Sequence, residues 1–248
     1  MKPAIHQILA GYSNGDAISN EARVWRATFR GWGHASEIYC ETKRILPELR
    51  GEARDLATAT ATIGPDDIAI LHLSIGSDAN LLFKTLRCRK VILYHNITPP
   101  DFFRGYNEEI VHQLILGREH LAHLRGVADI NLAVSRFNAT ELTEAGYQNV
   151  GVIPLIVDRS HWNGPVDRRL VAKYRDGFTN IVFVGRCAPN KRIEDLLFAL
   201  YYSQKYVNPQ TRLIHVGSFA GLERYQGLLR TKAMELRLQH FVVAGSVR

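Results

Sequence analysis

Apolar residues in this chain fall in short unbroken runs, and between the runs they recur at helical spacing. Residues 4–11, 36–40, 68–73 (IAILHL), 91–94, 130–134 and 150–155 read as strands. Most are continuously apolar rather than alternating, which suits strands covered on both faces, as in a parallel sheet flanked by helices. Stretches 21–30, 77–86, 108–125 and 137–145 predict helices; Ile110, Leu114, Leu121 and Leu124 share one face of the third. Residues 1–157 therefore predict one doubly wound α/β domain of Rossmann-like type. Residues 158–178 mix glycines, a proline and scattered charges, which predicts a linker with a short helical turn. The rhythm then restarts, with strands at 181–184, 212–216 and 241–244 and helices at 193–206 and 222–237. Ile193, Leu196, Leu197, Leu200 and Tyr201 form an amphipathic stripe on the first of these helices. Residues 179–248 thus predict part of a second parallel-sheet domain, with one sheet edge unpaired.

Composition narrows the class. With 46% apolar and 22% charged residues in 248, the chain has a globular balance, which excludes disorder and disulfide scaffolds. Thirty-one basic against 24 acidic residues leave a net charge of +7, which favours anionic partners. The basic residues are scattered, without interleaved aromatics, and this argues against nucleic acid. Cys40, Cys88 and Cys187 are odd in number and show no metal-ligand spacing, so a reduced, cytoplasmic setting is expected. The sequence has neither a signal-peptide pattern nor an apolar run long enough to span a bilayer.

Three segments could carry chemistry. Gly11-Tyr-Ser-Asn14-Gly15-Asp16-Ala-Ile-Ser19-Asn20 follows the first strand. It is either a backbone cradle for phosphate at a helix start or a tight turn capped by Asp16, Ser19 or Asn20; it does not fit GxGxxG. Tyr94-His95-Asn96-Ile97-Thr98-Pro99-Pro100 follows a buried strand, at the edge where open α/β sheets bind ligands. There His95 could bond a sugar hydroxyl or a phosphate, or simply sit in a stiffened loop. Gly185-Arg186-Cys-Ala-Pro-Asn190-Lys191 joins a strand to a helix, with Asn190 the expected N-cap. Two cations beside a helix N-terminus oppose its dipole, and a bound diphosphate would resolve that conflict. His112, His120 and His123 share a helix, but HExxH, DxD and GxSxG are all missing.

Taken in order, these segments resemble glycosyltransferase family 4 (group 1), bacterial retaining enzymes of the GT-B fold. The resemblance rests on Gly15-Asp16-Ala17-Ile18-Ser19-Asn20, on Tyr94-His95-Asn96-Ile97-Thr98-Pro99-Pro100, on Ala133-Val134-Ser135-Arg136-Phe137-Asn138 with Gly146-Tyr147, and on Val184-Gly185-Arg186 with Lys191. It implies two Rossmann-like domains, acceptor-side and donor-side, and transfer of a sugar from a nucleoside-diphosphate sugar to a hydroxyl acceptor with retention. His95, Arg186 and Lys191 would be catalytic, and Gly15, Asp16, Gly185, Arg186 and Lys191 would hold the donor phosphates. Asn14, Asn20, Asn96 and Thr98 would face the acceptor, a polysaccharide, lipid-linked or other glycan. No metal or cofactor is expected, and the net charge suits peripheral contact with an anionic membrane face. The family's pair of donor-binding glutamates would fall beyond Arg248, so a truncated donor domain and an inactive fragment are expected. A non-catalytic binding module and a related nucleotide-sugar epimerase remain open as alternatives.

Overall fold

The computed structural model describes residues 2–157 and 164–246. Its contacts divide the chain into two units, Met1–Pro99 with His112–Asp158, and Pro100–Val111 with Arg159–Arg248. The second unit thus takes a stretch from the middle of the chain, in addition to the C-terminal residues. Part of the stretch read as a linker, 158–163, lies outside the described residues; within the rest, Arg168–Tyr174 is helical.

The first unit is built on a seven-stranded parallel sheet: β1 (Ile5–Leu9), β2 (Ile38–Cys40), β3 (Arg54–Asp55), β4 (Ile68–Leu73), β5 (Arg89–Tyr94), β6 (Ile130–Ala133) and β7 (Val150–Val152). The strand order is β3-β2-β1-β4-β5-β6-β7. The chain therefore runs outward from β1 to β3 and returns on the other side of β1 at β4. That reversal is a topological switch point, and open α/β sheets bind ligands beyond the strand ends there. The central strands are as apolar as their burial requires: Ile8, Leu71, Ile92 and Leu93 are wholly buried.

Helix α1 (Ala17–Gly31) covers β1. Ala22 packs among Leu9, Ile38 and Cys40, and Trp25 among Ile5, Ile70, Val91 and Leu93. The helix starts four residues earlier than its apolar pattern suggests, because Asp16 caps it. Helices α2 (Ala59–Thr62), α3 (Asp78–Thr85), α4 (Glu108–His123) and α5 (Arg136–Glu144) follow.

Helix α6 (Arg168–Tyr174) precedes a three-stranded parallel sheet in the second unit: β8 (Thr179–Val184), β9 (Thr211–Val216) and β10 (Phe241–Gly245), ordered β10-β9-β8. Helices α7 (Ile193–Tyr206) and α8 (Glu223–Glu235) make the two crossovers. Both crossovers step the same way, and right-handed connections then put both helices on one face. The central strand β9 is buried on both faces from Thr211 to His215, whereas on the edge strand β8 Val182 and Val184 are 56% and 73% exposed. Among the described residues, no helix is long and apolar enough to cross a membrane.

Candidate functional site

The residues singled out in the sequence divide between the units. Asn14, Gly15, Asp16, Asn20, His95, Asn96 and Thr98 belong to the first, and Gly185, Arg186 and Lys191 to the second.

In the first unit, the turn after β1 is shaped by Gly15 at φ +70°, a left-handed conformation that costs a residue with a Cβ about 1 kcal/mol or more. Asp16 Oδ2 then accepts from the Ser19 N–H at 2.8 Å and the Ser19 hydroxyl at 2.7 Å, closing the N-terminus of α1. The Ser13 N–H donates to Ser19 Oγ at 3.0 Å. Of the two readings of this loop, the capped turn accounts for the Asp16 carboxylate. Arg23 draws Asn14 and Asn20 together: its guanidinium donates to Asn20 Oδ1 at 2.9 Å and to Asn14 Oδ1 at 3.2 Å. The same guanidinium lies over the Tyr12 ring and donates to Glu52 at 3.1 Å.

His95 directly follows β5, and its N–H donates to the Leu73 carbonyl at the carboxyl end of β4. Its Nε2 lies 3.0 Å from Nδ1 of His72, the polar residue inside the IAILHL run. His72 Nε2 is 3.0 Å from Gln7 Oε1 on β1. Glu21, on the buried face of α1, places Oε2 3.7 Å from His95 Nε2. The Glu21 side chain is 1% exposed and that of His95 3%. Burial raises the Glu21 carboxyl to about 7, with the nearby Ile156 backbone opposing it from beyond hydrogen-bond geometry. Burial lowers His95 to about 4 and His72 well below its ordinary value, the latter with help from His95. At neutral pH both rings are therefore uncharged.

The loop beyond His95 is held by a satisfied network. Asn96 takes φ +80°, tolerable for asparagine, and its amide donates to Asn138 Oδ1 and Glu141 Oε2. Tyr94 and Arg118 also donate to Glu141, at 2.7 and 2.6 Å, and the Ile97 N–H donates to the Tyr94 hydroxyl. Asn96 thus already has work in shaping the loop, while Thr98 is half-buried beside it.

In the second unit, Gly185 sits at the end of β8, and its carbonyl accepts from His215 Nε2 at 2.9 Å. A Cβ on Gly217 would overlap that carbonyl, so the β9–α8 loop can lie against it only with glycine there. Asn190 is not the cap of α7. Pro189–Lys191 form a 3₁₀ turn, and the N-cap is Arg192 in the left-handed conformation, without a side-chain cap. Arg192 pairs with Asp195 at 2.7 Å, which answers its own charge. Among the described residues, the exposed Arg186 and Lys191 have no side-chain partner.

No protein-family model matches the sequence, and neither does any curated protein. Solved structures do. A trehalose 6-phosphate synthase from Burkholderia multivorans is 11% identical, with a TM-score of 0.66 over all of this chain and 74% of its own. A glycosyltransferase from Rickettsia africae is 13% identical, with a TM-score of 0.63 over all of this chain and 69% of its own. An α-glucosyltransferase solved with UDP-glucose and DNA is 14% identical, with a TM-score of 0.59 over 93% of this chain and 60% of its own. The fold is of the GT-B type.

Within this GT-B fold, His95 directly follows β5, and Arg186 and Lys191 lie on the turn between β8 and α7. Reading the sequence missed Glu21, His72, Gln7 and Arg23. A signal existed for two of them: His72 interrupts an apolar strand, and Glu21 lies four residues before Trp25, on the face that α1 buries.

Proposed function

We propose that this chain carries the acceptor-side unit and part of the donor-side unit of a retaining glycosyltransferase, one that moves a hexose-type sugar from a nucleoside diphosphate to a hydroxyl of a glycan or lipid-linked acceptor. The observation that carries the reading is the pair Arg186 and Lys191, two cations without a side-chain partner among the described residues, on the turn between β8 and α7. A diphosphate there would gain a guanidinium fork and a point charge. The same cations would offset the charge that builds on the departing nucleoside diphosphate as the glycosidic bond breaks. Gly185 and Gly217 keep side chains out of the adjoining backbone. On this reading His95 would serve the transferred sugar, and Gly15 and Asp16 the donor phosphates, as the resemblance implies. Similarity to structures described as glycosyltransferases supports the assignment at the level of fold.

The test is calorimetric titration with UDP, GDP and their sugar conjugates, repeated on Arg186→Ala/Lys191→Ala. Losing two charge-assisted hydrogen bonds weakens binding about 100-fold or more. A folded wild type that binds none of these nucleotides, or a double variant that binds them equally well, overturns the proposal.

A further inference from the structure

Glu21 Oε1, Glu21 Oε2 and His95 Nδ1 are shut off from solvent, and among the described residues none has a hydrogen-bond partner. The other three ring nitrogens of His72 and His95 are all engaged, and their neighbours fix the direction of each bond. Gln7 Nε2 donates to the Ala22 carbonyl at 2.9 Å, which turns Gln7 Oε1 toward His72. An amide oxygen only accepts, so His72 Nε2 carries the hydrogen. His72 is uncharged, so its Nδ1 is a bare lone pair, and His95 Nε2 must be the donor across 3.0 Å. His95 is uncharged as well and has no second hydrogen to give. Glu21, at 3.7 Å, is too far to take the shared hydrogen from His72.

We propose that Gln7 and His72 are positioning residues that hold His95 as its Nε2–H tautomer, and so reserve His95 Nδ1, covered in this structure, as an acceptor for a ligand hydroxyl that displaces the cover. By residue type, a histidine at this strand end could serve a hydroxyl or a phosphate. The polarity of the chain from Ala22 through Gln7 and His72 selects the hydroxyl. A phosphate oxygen asks for a donor or a positive charge, and this ring offers neither. The inference rests on the glycosyl-transfer reading only for the ligand being a sugar.

Glu21, His72 and His95 also bring three potential metal-ligand atoms within 4.8 Å of one another. The rings argue for a proton instead. They are nearly parallel (16°), with centroids 5.1 Å apart. That separation is close to the N···N distance plus a ring radius at each end, so the rings meet edge to edge with the two nitrogens in line. A shared cation needs both lone pairs to converge on a point off that line.

Histidine ¹⁵N–¹H correlation spectra of the whole chain read the tautomer directly. Both rings are expected as Nε2–H at pH 7, with a strongly downfield His95 Nε2–H proton. A His95 protonated on Nδ1, or one titrating as a free imidazole, overturns the proposal whether or not the protein turns over. Adding UDP-glucose or GDP-mannose to the form that binds should move the His95 Nδ1 resonance, and UDP or GDP alone should not. An equal shift with the free diphosphate, or no shift with a bound sugar conjugate, overturns the hydroxyl assignment. In activity assays His72→Leu should lower kcat about 10- to 100-fold, with a smaller change in KM. His72→Gln, whose amide again offers an acceptor and a donor, should restore most of the loss; two variants equally impaired would refute positioning. If no nucleotide sugar is turned over while the tautomer signature stands, it is the glycosyl-transfer reading that fails.

Discussion

A carboxylate inside a protein with neither oxygen bonded resists ionisation, and Glu21 is in that position. Its folded value of about 7 lies above the ordinary 4.5, so between these pH values the folded chain keeps a proton that the unfolded chain has released. Wild-type stability from this group therefore falls as pH rises from about 4.5 to 7. Glu21→Gln has no such proton to lose. Relative to wild type, the variant should gain stability across that window, by up to about 3 kcal/mol. The histidine contributions are common to both proteins and cancel in the difference. Urea denaturation of the pair at pH 5 and 7.5 checks the sign, and a difference that does not change with pH would mean that the carboxyl is solvated. His72 is buried as a neutral ring, and both of its nitrogens are bonded, to His95 and to Gln7.

At the scale of elements, α7 depends on a tyrosine from α8. The Tyr225 hydroxyl accepts the Ile193 N–H at 2.9 Å and donates to Glu194, both in the first turn of α7. Tyr225→Phe leaves a buried N–H without a partner and should cost about 1–3 kcal/mol, measurable by thermal or urea unfolding. A change under about 0.5 kcal/mol would show that water replaces the hydroxyl. Elements like α7 were legible because their residues agree at every level: the stripe from Ile193 to Tyr201 marks one helix face, and 193–206 is the helix observed. IAILHL likewise announces a buried parallel strand. Strand β3 was not legible, since Arg54 and Asp55 have no strand-like side chains and pair only because β2 offers an edge. The cap at Arg192 was hidden for a similar reason, because a left-handed arginine is imposed by the preceding 3₁₀ turn rather than preferred by the residue. The site was half legible. A histidine or a cation pair at a strand end has a local signature, whereas Gln7 and His72 meet only through the β1–β4 pairing, across 65 positions.

Across the whole molecule the two units differ in how completely their sheets are covered. The seven-stranded sheet buries its central strands, while the three-stranded sheet leaves β8 at an edge with Val182 and Val184 open. Hydrogen exchange should therefore be slowest in β1, β4 and β5 and faster by orders of magnitude in β8 and β10, because exposed backbone opens locally at lower free energy. Exchange by mass spectrometry tests this, and equal protection in both sheets would contradict it.

The second unit also takes Pro100–Val111 from the middle of the chain. Asn107 donates to the Gly221 carbonyl at 2.8 Å, Arg224 to the Gly105 carbonyl at 3.3 Å, and Tyr106 packs edge-on against Tyr225. Asn107 and Gly221 are 114 residues apart. On a ribosome adding about 5–20 residues per second, the nascent chain presents Tyr106 on the order of 10 s before the partner of its ring exists. Through that interval the first unit can complete its own sheet while carrying an open tract, so the moment of greatest exposure to chaperones and proteases is set by translation rate rather than by folding rate.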